Sequence, residues 1–148
     1  MTSRFAVLGS PINHSLSPKL HQAAIAFLDV DASYERHEVG EGELASFLAT
    51  TGSQYDGFSL TMPLKPEAKA AAVSVCEYSQ TTGASNTLIS TPTGWFGFNT
   101  DVIGARLAIE TAKITSPGTA ILLGAGATAA SFLVALSEIG FEDRKSVV

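Results

Sequence analysis

With 148 residues, 45% of them hydrophobic, the chain can bury one ordinary globular core. Nine basic against 14 acidic residues give a formal charge of −5, spread without any block of like charge, which excludes a phosphate-neutralising nucleic-acid surface. Cys76 stands alone, so no intrachain disulfide framework exists; the usage suits a reducing compartment, and a small, buried, apolar role is expected for this thiol.

Arg4 is followed by an apolar run over residues 5–8 that Gly9, Ser10 and Pro11 break, too short for a signal-peptide core, and a cytoplasmic location is expected. The run predicts a buried strand entering a loop. Ser17 with Pro18 beside it predicts a helix start, the serine capping free amides. Leu20, Ala23, Ala24, Phe27 and Leu28 then fall on one helical face, which should pack against the first strand. Residues 33–39 predict a second strand with a rather polar face and 43–49 a second helix; residues 58–61 predict a third strand ending at Met62-Pro63, and the alanine-rich 66–73 a third helix. Residues 79–84 are small and polar and predict a loop. Two strands, 86–89 and 95–98, flank the turn Thr91-Pro92-Thr93-Gly94, and a helix over 102–110 leaves Asp101 in the capping position.

Beyond a Ser116-Pro117-Gly118 break, residues 120–123 run into Gly124-Ala125-Gly126-Ala127-Thr128-Ala129-Ala130 and then an apolar helix to Ile139, closed by Gly140. No charge occurs over residues 114–137, yet Pro117-Gly118, Gly124 and Gly126 interrupt the stretch, and a buried parallel strand feeding its crossover helix explains it without a membrane. Residues 146–148 predict the start of a further strand. The expected class is α/β: a mixed, mainly parallel open sheet flanked by helices, then the first β-α unit of a Rossmann-type domain. Residues 1–101 are expected to form a substrate-binding and catalytic domain, and 102–148 a linker helix and the truncated start of a nucleotide-binding domain. A dinucleotide fold needs several more strands, so the 148 residues are expected to belong to a longer enzyme and to be inactive by themselves.

Several residues could carry chemistry. In Gly124-x-Gly126-x-x-Ala129 the first glycine permits a sharp turn, the second lets backbone approach a pyrophosphate, and the helix start offers free amides; a tight turn with no ligand has the same pattern. Ser15 and Ser17 bring two hydroxyls to a helix N-terminus, where a carboxylate could be received, though capping and loop roles explain them equally. Lys65, between Pro63 and Pro66, could be a surface lysine, and Asp101 a helix cap. His14 and His21 have no metal-ligand spacing and are expected to be structural or solvated; no metal is expected.

Taken in order, Ser15-Leu16-Ser17-Pro18, Thr61-Met62-Pro63-Leu64-Lys65, Gly83-Ala84-Ser85-Asn86-Thr87, Asn99-Thr100-Asp101 and Gly124-Ala125-Gly126 resemble the successive signatures of the shikimate dehydrogenase family. The resemblance implies that Ser15 and Ser17 bind a substrate carboxylate, that Thr61, Asn86 and Asp101 contact ring hydroxyls, and that Lys65 and Asp101 form the catalytic pair, with Lys65 also among the residues that bind the substrate. It implies that the turn Gly124, Ala125, Gly126, Ala127, Thr128 and Ala129 receives NADP, with NAD an alternative. The implied activity is an NAD(P)-dependent dehydrogenase acting on a CH–OH group, reducing 3-dehydroshikimate to shikimate reversibly on the route to aromatic amino acids, as a monomer or homodimer. Ser59 departs from the family, which commonly has asparagine there; a shorter side chain would lose or lengthen a substrate hydrogen bond, and opens the alternative of a quinate/shikimate enzyme. A short, catalytically silent binding protein is the alternative outside the enzymes.

Overall fold

The computed structural model describes residues 2–114, 118–141 and the backbone of 144–147. Strand β1 (Ser3–Gly9) is central, since Ala6, Val7 and Leu8 are all buried and must be covered on both faces. It pairs in parallel with β2 (Ala32–Glu38) on one side and β3 (Gly57–Leu60) on the other. Beyond β3 the sheet turns antiparallel through β5 (Thr87–Thr91) and β6 (Gly94–Phe98), which form the expected hairpin. The two-residue strand β4 (Ser74–Val75) then pairs in parallel with β6, giving the order β2-β1-β3-β5-β6-β4.

Alternation along the strands sorts side chains between the two faces. Ala6, Leu8, Phe58, Leu60 and Leu88 form one buried cluster with Leu44 of α2 (Leu44–Thr50) and Ala68 of α3 (Lys65–Ala71). Phe58 sits at its centre, with ring centroids 5.8 Å from Phe47, 5.0 Å from Tyr55 and 5.2 Å from Trp95. On the other face Val7, Ile12 and Tyr34 pack with Phe5 and with Ile25 of α1 (Ser17–Leu28).

This second face departs from expectation. Leu20, Phe27 and Leu28 are 67%, 88% and 65% exposed, and α1 buries no residue fully. The helix meets the sheet through Ile25, which packs on this cluster, and through His21 and Gln22, which reach Tyr34, while Leu20 and Phe27 of the apolar stripe stay exposed. A second difference is α4 (Glu77–Thr82), where small polar residues predicted a loop. Tertiary contacts override composition there: Ser79 is completely buried and accepts a hydrogen bond from Ser85 Oγ at 2.9 Å, and Gly83 ends the helix at φ 71°. The cysteine expectation also fails, because Cys76 is only half-buried and its sulfur caps this helix, accepting from the Ser79 amide at 3.4 Å. Burial pushes the Cys76 thiol up, but hydrogen bonds from Ser79 and Asn99 outweigh it and hold the thiol below its usual range.

Helix α5 (Asp101–Thr111) packs against α6 (Ala127–Glu138) through a cluster of Val102, Ala105 and Ala135, with Tyr78 of α4 and Phe132 at its margin. Strand β7 (Ala120–Leu123) pairs in parallel with β8 (Arg144–Val147), the strand expected near the end of the chain; Val148 lies outside the described residues. The β7–α6–β8 order is the parallel β-α-β unit of a dinucleotide fold. No helix among the described residues is long and apolar enough to cross a membrane.

Candidate functional site

The end of β3 and the start of α3 bring Thr61, Met62, Pro63 and Lys65 to one wall of a cleft of about 630 Å³. Gly124, Gly126, Thr128 and Phe132 of the glycine turn and α6 form the opposite wall. Two segments more than fifty residues apart in the sequence therefore face each other across one space, and Lys65 lies on it.

Lys65 is the first residue of α3, where the helix dipole disfavours a cation. Asp101 supplies the compensating charge: Lys65 Nζ donates to Asp101 Oδ2 at 2.6 Å, with the two side chains only 16% and 27% exposed. Asp101 Oδ1 accepts from Asn86 Nδ2 at 2.7 Å, so both carboxylate oxygens are engaged. Asn86 is fixed in turn by its Oδ1, which accepts from the Thr100 amide at 3.1 Å and from Thr87 Oγ1 at 2.9 Å. The carboxylate at 101 does not cap its helix as expected. Thr100 is the capping position, without a side-chain cap bond, and the Asp101 amide instead donates to Asn99 Oδ1 at 3.0 Å.

Ser15 and Ser17 sit where β1 hands over to α1. Here too the capping expectation fails, because Leu16 is the capping residue and makes no side-chain cap bond. Ser15 Oγ instead accepts from the Ser17 amide at 3.3 Å. The Ser17 carbonyl accepts from His21 Nδ1 at 2.8 Å, and His21 stacks on Tyr34 with ring centroids 3.9 Å apart. His21 is thus structural, as expected, whereas His14 is exposed. Ser59 lines a second cavity of about 320 Å³ beneath α1, with Tyr34, His21 and Thr87, and its Oγ accepts from Tyr34 Oη at 2.8 Å. Nothing in the local sequence marked Tyr34 as its partner.

The glycine turn fits a dinucleotide phosphate. Gly124 has φ 115°, a conformation that favours glycine. Gly126 has an ordinary φ of −78°, and a side chain built there would meet no atom within 4 Å, so neither backbone nor packing calls for glycine. Open space on the cleft side, at the start of a helix whose first amides have no side-chain cap, is what a closely approaching anion requires. Among the described residues no group of three His, Cys, Asp or Glu could hold a metal ion.

The profile of the shikimate dehydrogenase substrate binding domain matches residues 7–88. The chain is 39% identical over 139 residues to shikimate dehydrogenase (NADP(+)) of Thermus thermophilus, covering 94% of this chain and 53% of that protein, and 38% identical over 142 residues to the enzyme of the same name from Hyphomonas neptunium, covering 95% and 53%. Among solved structures, shikimate dehydrogenase of Mycobacterium tuberculosis superposes with a TM-score of 0.85 at 40% identity, over 98% of this chain and 55% of that one. The Thermus thermophilus enzyme in complex with NADP(H) and shikimate gives a TM-score of 0.88 at 38% identity, over 97% and 55%. The chain spans about half the length of the curated relatives it matches. With more than half of its residues inside the matched profile, the chain belongs to the shikimate dehydrogenase substrate-binding-domain family.

Proposed function

We propose that this chain is the substrate-binding and cofactor-opening part of an NADP-linked shikimate dehydrogenase that interconverts 3-dehydroshikimate and shikimate. The observation that carries the reading is the cleft itself, in which Lys65, paired to Asp101, faces a glycine turn suited to a dinucleotide phosphate. In this reading residues 1–101 receive the acid and residues 102–148 begin the nucleotide unit. The single, unpaired Cys76 supports a cytoplasmic setting.

Ser15 and Ser17 receive the substrate carboxylate in this account, with hydroxyls and amides in place of a charged side chain. Thr61, Asn86 and Asp101 orient the ring hydroxyls, and the saturation of Asp101 by Lys65 and Asn86 keeps its oxygens from rotating. Gly124, Ala125, Gly126, Ala127, Thr128 and Ala129 hold the dinucleotide, which supplies the hydride for the ring ketone. Lys65 places its ammonium at the oxygen that gains charge and delivers the proton that completes the alcohol. Asp101 holds that ammonium in place.

Ser59, standing where the family commonly has asparagine, favours a second reading in which quinate is accepted as well. Both readings are tested by assaying the protein at its full natural length with shikimate or quinate, each with NADP⁺ or NAD⁺. NADP⁺ reduction with shikimate is expected. No reduction with either acid would sink the enzymatic reading and leave a binding protein, while quinate turnover at a comparable specificity constant would establish the second.

A further inference from the structure

Asn99 is only 2% exposed, and its carboxamide has a partner for each polar atom. Oδ1 accepts from the Asp101 amide at 3.0 Å, and Nδ2 donates to Thr82 Oγ1 at 2.8 Å and to Ser131 Oγ at 3.1 Å. Ser131, completely buried in α6, donates onward to the Ala127 carbonyl at 3.1 Å, and Ala127 opens that helix on the cleft. One buried side chain therefore joins three elements: α4 through Thr82, the second turn of α6 through Ser131, and the start of α5 through Asp101. The hydrogen bonds continue from Asp101 to Lys65 and Asn86.

We infer that Asn99 is a positioning residue that sets the Lys65–Asp101 pair in register with the helix behind the glycine turn. The inference rests on the reading of the cleft given above. Its physical basis is the cost of disorder in a buried polar group: an amide with all its donors and acceptors paired has one low-energy orientation, and losing one partner leaves an unsatisfied buried group. Asn99 cannot turn without releasing the Asp101 amide, and α6 cannot shift without pulling on Asn99. A displacement of about 1 Å is enough to cost a large factor in rate when the reacting groups must meet in one geometry. Arg106 of α5 and Glu138 of α6 form an independent link across the same pair of helices, at 3.3 Å, without touching Asn99. It supplies the comparison that separates positioning from general loosening.

The test compares Asn99→Ala, Ser131→Ala and Arg106→Gln in the protein at its full natural length, each checked for folding by circular dichroism. The first readout is the rate at which an amine-selective acetylating reagent modifies Lys65 at one pH without ligands, followed by peptide mass spectrometry. The second is kcat and KM for shikimate with NADP⁺. Asn99→Ala and Ser131→Ala should each raise the modification rate at least about threefold, because a charge-assisted bond no longer shields the amine. They should lower kcat by about tenfold or more while shikimate KM moves less. Arg106→Gln should leave both readouts near the parent. Should Asn99→Ala fail to fold, Ser131→Ala carries the same expectations, since it removes one of the three Asn99 bonds together with the bond to the Ala127 carbonyl. Parent-like Lys65 modification in folded Ser131→Ala overturns the inference, as does an Arg106→Gln protein in which Lys65 modification rises as much as in Asn99→Ala. Faster modification in a protein whose parent turns over no shikimate would support the positioning role and sink the substrate reading alone.

Discussion

Lys65 and Asp101 meet at 2.6 Å across 36 residues of sequence, the lysine from the first turn of α3 and the aspartate from the first turn of α5. Neither end is a free surface charge. Removing one member of a pair this enclosed does more than delete an attraction, since it leaves the other charge with a poorer environment than water. Lys65→Ala at full natural length should therefore lower turnover by at least about a hundredfold while shikimate affinity changes little, since proton donation and charge stabilisation act mainly in the transition state. Asp101→Asn should damage both kcat and KM, because Asp101 also orients the substrate in this account. Turnover near wild type in Lys65→Ala would remove the lysine from the chemistry, and an unchanged KM in Asp101→Asn would remove the aspartate from the substrate shell.

Which parts of this arrangement were legible in the sequence follows from how local their causes are. Continuous apolar runs produced β1 and β7, and the run Phe58-Ser59-Leu60-Thr61 before Met62-Pro63 produced β3, each within a residue or two, while the Thr91-Pro92-Thr93-Gly94 turn produced the β5–β6 hairpin. The two-residue β4 is too short to leave a pattern, and α4 hides behind a polar composition because Ser79 is buried by contacts from elsewhere in the chain. Lys65 and Asp101 were found through motif order, yet their bond, and the Asn99 carboxamide behind it, depend on residues far apart in sequence. Ser59 was singled out as a departure from the family, but its partner Tyr34 lies on a different strand and became visible only when β1 set the two on the same face. The exposed Leu20, Phe27 and Leu28 show the limit of periodicity, which reports an apolar face without saying what covers it.

A second polar cluster should make folding stability depend on pH. The hydrogen bond from Tyr55 Oη at 3.0 Å is the largest influence holding the Glu35 carboxyl below its usual value; partial burial opposes it, and the nearby Arg4 and His37 assist. Because the folded value is depressed, the contribution is present in full above the unfolded value of 4.5 and is lost as pH falls through the folded one. The Glu35 side chain is 43% exposed, so solvent screening keeps the effect modest. Glu35→Gln removes the charge while retaining an acceptor for Tyr55. The gap in melting temperature between parent and variant should be widest above the unfolded value and should narrow as pH falls below it. A gap that stays constant with pH would show that Glu35 contributes by shape alone.

The glycine turn allows the cofactor role to be separated from the fold, because its two glycines are there for different reasons. Gly124 takes a positive φ of 115°, so any side chain strains the backbone there. Gly126 takes an ordinary φ and faces open space, so the fold itself places little demand on it. Gly126→Val should accordingly change stability by no more than about 0.5 kcal/mol, the range of substitutions that disturb no packing. Its β-branched side chain would nevertheless stand in the cleft, beside the first amides of α6, where the proposed function places a pyrophosphate. NADP⁺ affinity at full natural length should fall at least about tenfold, equivalent to 1.4 kcal/mol. Gly124→Val should lose stability as well as affinity, and the comparison between the two is the measurement that matters. Calorimetric titration with NADP⁺, read beside thermal melts of both variants, decides the point: parent-like binding by Gly126→Val would mean that the turn only joins a strand to a helix and holds no phosphate.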